Sequence, residues 1–149
     1  MKRFAAFLLA VVCMCSLSAA LAQTADCPAG GFSVWVPDHF ESVQPDPLSD
    51  PSLSFYWHGN KLAVVAYVSA QAGSNDVQVF TGNEVEYGPV TVNGREMYYI
   101  MAKEFGKITV SYQWMDQARG NSVTLEFTYY ADDPAQSTVD KIINSISFY

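Results

Sequence analysis

Beyond residue 30, apolar side chains recur mainly at every second position, in short runs bounded by Gly, Asn or Pro. The first run, Phe32, Val34 and Val36, stops at Pro37. A period of two over short runs is typical of strands, and closely spaced turn residues are typical of an antiparallel sheet. We therefore predict one domain over residues 31–149 that is built largely from antiparallel strands.

Asn93-Gly94 is the strongest hairpin signal in the chain, because both residues accept the positive φ angles of a two-residue turn. It separates a predicted strand over 84–92 from one over 95–103. The same reasoning predicts six further strand-like stretches, and we expect a sheet of about six to seven strands in all. These strands cover residues 32–36, 53–57, 62–69, 77–80, 107–115 and 122–130.

The strand over 62–69 reads LAVVAYVS and is apolar on both of its faces. Such a strand is expected to be central in its sheet and covered on both sides. We expect a hairpin between it and the preceding strand, with Gly59 and Asn60 at positive φ angles in the turn.

The last two strands are predicted to have one apolar and one polar face, since alternate residues of a strand point the same way. The apolar positions are Ile108, Val110, Tyr112 and Trp114, followed by Val123, Leu125, Phe127 and Tyr129. The polar positions, which we expect to be solvated, are Thr109, Ser111, Gln113, Thr124, Glu126 and Thr128.

Near the C-terminus the apolar period changes to that of a helix, with spacing i, i+3, i+4 and i+7. This stripe consists of Val139, Ile142, Ile143 and Ile146. We predict an amphipathic helix over about residues 134–145 that packs its stripe on the apolar face of the last two strands. Asp133 before Pro134, with Gln136 three positions later, predicts a start that resembles a capping box.

The first 22 residues have the layout of a secretory signal peptide. Lys2 and Arg3 precede an apolar run over 4–15, and small residues lead to Ala22, with cleavage expected before Gln23. The apolar run would rise only about 18 Å as a helix, which makes a retained membrane anchor the weaker alternative. We therefore expect a secreted or extracytoplasmic domain without a stable membrane anchor, preceded by a flexible N-terminus over residues 23–30.

The chain of 149 residues has a formal charge of −7, and loss of the two basic residues with the signal peptide would make it −9. Nucleic acid and anionic lipid both reward clustered Lys and Arg, so both are excluded as expected partners. A cationic partner is one interpretation of this charge, and solubility alone is the other.

Cys27 is the one cysteine that remains after cleavage, so no intramolecular disulfide is expected. It lies close to the new terminus, and we interpret it as an exposed thiol, with an intermolecular bridge as the alternative.

No arrangement of residues predicts a catalytic, cofactor or metal site. His39 and His58 are nineteen positions apart and have no His or Cys at ligand spacing. The acids Glu84, Glu86 and Glu126 are interpreted as surface residues, because a carboxylate pair is always available in a chain with fifteen acids. We expect neither a bound cofactor nor a bound metal ion, and we do not expect the protein to be an enzyme.

Tyrosine and tryptophan are more numerous than one small core requires, and both are favoured on recognition surfaces. Aromatic side chains are also favoured in strands for packing alone, so both interpretations stay open. Neighbours in a strand point to opposite faces, so we expect Tyr130 and one of Tyr98 and Tyr99 to be exposed. The candidate binding surface therefore consists of Tyr98, Tyr99 and Tyr130.

Three stretches resemble the PsbP-like superfamily, whose fold is shared with the Ran-binding Mog proteins. They are Gly31-Phe32-Ser33-Val34 with Val36-Pro37 and Phe40, the Val92-Asn93-Gly94 hairpin, and a final helix that ends in Ile142-Ile143-Asn144-Ser145-Ile146-Ser147-Phe148. The resemblance spans nearly all of residues 31–149. It implies an antiparallel sheet with helices on both faces, an α-β-α sandwich, in extracytoplasmic accessory proteins such as the extrinsic photosystem II subunit of plants. The proline-rich residues 46–52 depart from the early helix of that pattern.

These observations give an α+β fold with a C-terminal helix on one face of an antiparallel sheet. The first functional hypothesis is a secreted, non-enzymatic accessory domain that binds a protein or a cell-envelope component. A carrier of a small apolar ligand is the alternative, and a hydrolase with an unrecognised acid pair is the third. The three hypotheses require different structural features. A binding domain needs an exposed aromatic patch, and a carrier needs a closed apolar pocket. A hydrolase needs a pair of acidic side chains in a cleft.

Overall fold

The computed structural model describes residues 23–44, 51–59, 61–70, 84–131 and 135–149. The signal peptide, the proline-rich residues 45–50 and the strand predicted over 77–80 lie outside the described residues. The described elements are a short 3-10 turn (Pro28–Gly30), one α-helix, α1 (Gln136–Asn144), and ten strands. The strands are β1 (Gln23–Cys27), β2 (Phe32–Val36), β3 (Glu41–Ser42), β4 (Leu53–His58), β5 (Leu62–Ser69), β6 (Glu84–Val92), β7 (Arg95–Glu104), β8 (Lys107–Asp116), β9 (Asn121–Tyr130) and β10 (Ser147–Phe148).

The strands form two sheets, and every pairing between them is antiparallel. The large sheet has seven strands in the order β3-β4-β5-β9-β8-β7-β6, and the small sheet has three in the order β1-β2-β10. The prediction of an α+β domain with an antiparallel sheet is confirmed. The central position of β5 is confirmed as well. The separate small sheet was not predicted.

The two predicted hairpins differ in how well their turns were anticipated. Asn93 has a φ angle of 47° and Gly94 one of 81°, which confirms the two-residue turn between β6 and β7. The β4–β5 hairpin is also present, but Gly59 has no positive φ angle, so the expectation is wrong for Gly59, and Asn60 lies outside the described residues. A Cβ on Gly59 would lie 2.5 Å from the Phe40 ring, and close packing is what requires glycine there.

The face of the large sheet that we call the inner face carries the core. Its central strands bury the apolar positions predicted for them, including Val110, Leu125 and Phe127. Helix α1 and the small sheet cover this face together: Phe32 of β2 contacts Trp114 edge-on, with ring centroids 5.3 Å apart. The predicted stripe is buried in the same core: Val139, Ile142, Ile143 and Ile146. The helix is thus one part of the covering layer, and the small sheet supplies the rest.

The start of α1 differs from the predicted capping box. The helix begins at Gln136 after Ala135, whose side chain does not cap it, and the predicted cap residues Asp133 and Pro134 lie outside the described residues. The Gln136 side chain is used elsewhere, because its Oε1 accepts a hydrogen bond from the Tyr129 hydroxyl. Its Nε2 donates to Oδ1 of Asp140 at 2.9 Å.

The opposite, outer face of the large sheet is less solvated than predicted. Ser111 is completely buried, and its neighbours on β7, Ile100 and Ala102, are buried with it. Glu126, which lies directly opposite Ser111 on β9, is partly buried. The expectation of a wet face is therefore wrong at its centre. Alternation fixes which side chains share a face, but it does not determine how exposed that face is.

The segment over 23–30, expected to be flexible, instead forms β1 and the 3-10 turn. All five residues of β1 pair with β2, and Ala25 and Cys27 point into the core. Cys27 is 0% exposed, so the interpretation of an exposed thiol is wrong. The physical reason is that apolar residues 25 and 27 follow the two-residue period of a strand, in a run short enough to be overlooked.

Candidate functional site

A groove of about 490 Å³ opens on the outer face of the large sheet, beside the β6–β7 hairpin. It is lined by the outer-face residues Pro89, Thr91, Glu96, Tyr98 and Gln113, together with Val90 and Met97. Its wall therefore combines an aromatic ring, hydrogen-bonding groups and one exposed carboxylate.

Tyr87 and Tyr98 form an aromatic pair at this groove. Their ring centroids are 6.2 Å apart and the ring planes are tilted by 31°. Tyr87 is 69% exposed, which is high for a ring of this size in a strand, while Tyr98 is partly buried. The pair places two phenol rings and their hydroxyl groups where a partner could contact them.

The position of β6 at the edge of the described sheet explains why Tyr87 is exposed. Val92 and Arg95 flank the two-residue turn, and in such a hairpin the flanking pair forms two backbone hydrogen bonds with each other. Every second residue of β6, counted back from Val92, therefore directs its backbone N–H and C=O groups toward β7. Pro89 falls at a position that faces away from β7, where its missing N–H breaks no bond within the sheet. The outer side chains of β6 therefore have a neighbouring described strand on one side only.

The structure separates the three predicted surface tyrosines. Tyr98 and Tyr99 lie on opposite faces of β7, and both are partly buried, so the prediction that one of them is exposed is wrong. Tyr130 is 61% exposed whereas Tyr129 is 3% exposed, which confirms the prediction for that pair. Tyr130 pairs with Lys107 and Tyr98 with Gln113, six residues apart along β8, or about 20 Å. Tyr98 and Tyr130 thus share the outer face without meeting.

Within the large sheet and its turns, two exposed aromatic residues were missed by the sequence reasoning. Tyr87 was one, although Gly88-Pro89 after it marks β6 as an edge strand and could have indicated its exposure. Phe105, at the tip of the β7–β8 turn, is the other and is 93% exposed. The sequence carried no comparable signal for Phe105, because an apolar residue between two strands is equally compatible with a short buried connection.

The centre of the outer face holds a partly buried carboxylate. Burial raises the pKa of Glu126 above its usual value, while the Lys107 charge and a hydrogen bond with Thr128 act in the opposite direction. Across β8 and β5 its direct neighbours are Ser111 and Val65. The Ser111 hydroxyl is buried and has no hydrogen-bond partner among the described residues. A carboxylate beside a serine and a valine is not the acid pair that the hydrolase hypothesis requires.

Among the residues that the structure describes, no group of three or more His, Cys, Asp or Glu side chains is placed to hold a metal ion. Nor does that part of the chain contain a helix with the length and apolar character needed to cross a membrane. No protein-family model matches the chain, and no curated protein matches it either.

Proposed function

We propose that this protein is a secreted, non-enzymatic accessory domain of the PsbP-like kind that binds another protein of the cell envelope. The observation that carries the proposal is the Tyr87–Tyr98 pair, of which Tyr98 lines the outer-face groove. The antiparallel sheet with a C-terminal amphipathic helix supports the family assignment, and the signal-like sequence over 1–22 supports export.

The groove suits a protein partner better than a small apolar ligand. Thr91, Glu96 and Gln113 contribute polar groups to its wall, and Glu96 is exposed. A carrier encloses most of its ligand in apolar surface, which an open groove with a carboxylate does not offer. Tyrosine rings at the rim of a polar groove are typical of protein–protein interfaces, where a few aromatic side chains carry much of the binding energy.

The test is affinity capture from the protein's own envelope fraction, with the domain and its variants as parallel baits and mass spectrometry of the retained proteins. We expect one protein to be retained by the wild type and lost, with at least tenfold lower recovery, from Tyr87→Ala and Tyr98→Ala. Tyr130→Ala is the matched control, since it removes a similarly exposed tyrosine about 20 Å away along the same face. Equal recovery of every retained protein by Tyr87→Ala and wild-type baits would overturn the proposal.

A further inference from the structure

The groove beside the β6–β7 hairpin has a floor and a rim. The floor is half-buried and consists of Tyr98 and Gln113, which pair across β7 and β8. The rim is the exposed outer edge of β6, where Tyr87 is followed by Pro89 and Thr91. The floor thus offers a phenol hydroxyl and an amide, both of which can donate hydrogen bonds to a bound chain.

Pro89 determines how an extended peptide can bind to this rim. The residues of β6 that face away from β7 are Tyr87, Pro89 and Thr91, at the edge of the described sheet. A peptide that added a further strand there would draw on the backbone N–H of each of them, and proline has none. The ladder would be interrupted beside the groove. An extended partner is therefore held better by the side chains of the groove than by the strand edge.

The aromatic pair suits a polyproline II helix. The rings of Tyr87 and Tyr98 lie 6.2 Å apart at their centroids and are tilted by only 31°, and proline-rich segments dock on such aromatic surfaces. A polyproline II helix has no internal hydrogen bonds, so its carbonyls can accept bonds from the groove. An amphipathic helix needs a continuous apolar groove instead, which Thr91, Glu96 and Gln113 interrupt.

The charge of the groove indicates what flanks the prolines. Glu96 is the one charged residue that lines the groove, and it is exposed. The formal charge of −7 on the whole chain adds a long-range attraction for a cationic segment. Glu96 lies opposite Thr91, four residues along β6 from Tyr87, or about 13 Å. A polyproline II helix rises about 3.1 Å per residue, so about four residues span this distance.

We propose that the groove binds a proline-rich, basic segment in the polyproline II conformation. A proline of the segment packs on the Tyr87–Tyr98 pair, and an arginine or lysine about four residues away pairs with Glu96. The stiffness of such a segment lowers the entropy lost on binding. This inference rests on the proposed function, since it names the kind of segment that the envelope partner presents to the same groove.

The test is a titration of the folded domain with blocked peptides, followed by the chemical shifts of its tyrosine ring protons. The two probes carry four prolines followed by arginine, or arginine followed by four prolines, so that both chain directions are sampled. Control peptides replace the four prolines by alanines, or the arginine by glutamate. We expect saturable shifts at Tyr87 and Tyr98 with a proline–arginine probe and at least fivefold weaker binding of both controls. Tighter binding of an alternating valine–threonine peptide that ends in arginine would show strand addition and overturn the proposal.

Variants of the domain locate the contacts. Tyr87→Ala is expected to weaken binding of the proline–arginine probe at least tenfold, whereas Tyr130→Ala, the matched control, should stay within twofold of wild type. Glu96→Gln should weaken binding of the same probe at least threefold. It should leave the affinity for a four-proline peptide that ends in glutamine within twofold, because that peptide has no charge to pair. Equal affinity of Glu96→Gln and wild type for the proline–arginine probe would overturn the proposal.

Peptide competition in the capture experiment separates this inference from the proposed function. A protein whose retention depends on Tyr87, but which excess proline–arginine probe does not displace, would overturn the inference and leave the proposed function intact. Binding of the probe without any protein whose retention depends on Tyr87 would overturn the proposed function alone. Equal binding of the proline and alanine peptides would overturn the inference in either case.

Discussion

Arg119 holds the carboxylate of Asp116, with Nη1 donating to Oδ2 at 2.9 Å. The same nitrogen donates to the backbone carbonyl of Tyr149 at 3.0 Å, so the pair joins the β8–β9 turn to the last residue of the chain. Gly31 packs against it, and a Cβ there would lie 2.9 Å from Oδ2 of Asp116. Asp116 is only 3% exposed, and the Arg119 guanidinium lies at bonding distance from its carboxylate.

Loss of either partner should therefore destabilise the fold. Arg119→Ala leaves a buried carboxylate without its hydrogen-bond donor, at an expected cost of about 1–3 kcal/mol in the free energy of unfolding. Urea unfolding of Arg119→Ala and Asp116→Ala measures this cost. Asp38→Ala is the control, because Asp38 is exposed and its loss should change stability by no more than about 0.5 kcal/mol. Coincident curves for Arg119→Ala and wild type would contradict the role assigned to the pair.

Cys27 should be unreactive in the folded protein. Its thiol is inside the core beside Phe32, and burial raises its pKa, so little reactive thiolate forms at neutral pH. We expect an aromatic disulfide reagent at pH 8 to label less than about a tenth of the thiol over the time in which denatured protein is fully labelled. The denatured sample is the internal control. Rapid stoichiometric labelling of the native domain, or a dimer that dissociates only on reduction, would show that Cys27 is accessible.

The sequence predicted the large sheet from β4 to β9 well wherever local rules decide the outcome. Asn93-Gly94 determines its own turn, and alternation determines which side chains of β8 and β9 share a face. Part of the small sheet was missed because one of its two pairings is long-range: Phe148 of β10 pairs with Phe32 of β2. Two residues of β10 carry no periodic pattern of their own, so only tertiary contact defines that strand.

The candidate sites were less predictable for a related reason. A strand sequence tells which residues point together, but exposure depends on which strand lies at the edge and on what covers each face. The exposure of Tyr130 was predicted correctly, but the face of Tyr98 was left open, and the two residues lie about 20 Å apart along the sheet. Tyr99 turns instead toward Tyr112 and the helix.

Helix α1 should be required for stable folding. Ile143 is 4% exposed and belongs to the core that the helix shares with the sheet, so Ile143→Ala leaves a cavity. The expected cost is about 2–5 kcal/mol, a large share of the stability of a typical small domain. Lys141→Ala, at an exposed position on the same helix, is the control and should cost less than about 0.5 kcal/mol. Urea melts that overlap for Ile143→Ala and wild type would show that the helix does not pack into this core.

Glu126 should make stability depend on pH above the usual carboxyl range. Burial raises its pKa in the folded state above the value of 4.5 that it has when unfolded, so the folded protein holds this proton more tightly. Between pH 4.5 and the raised value the folded state binds more protons than the unfolded state, and stability falls as pH rises.

Glu126→Gln keeps the shape and the acceptor oxygen for Thr128 but cannot ionise. We expect it to be more stable than wild type at pH 7, with a flatter profile above pH 4.5, in urea melts from pH 4 to 8. Glu41→Gln, at an exposed position, should leave the profile unchanged, and a Glu126→Gln profile parallel to that of wild type would contradict this account.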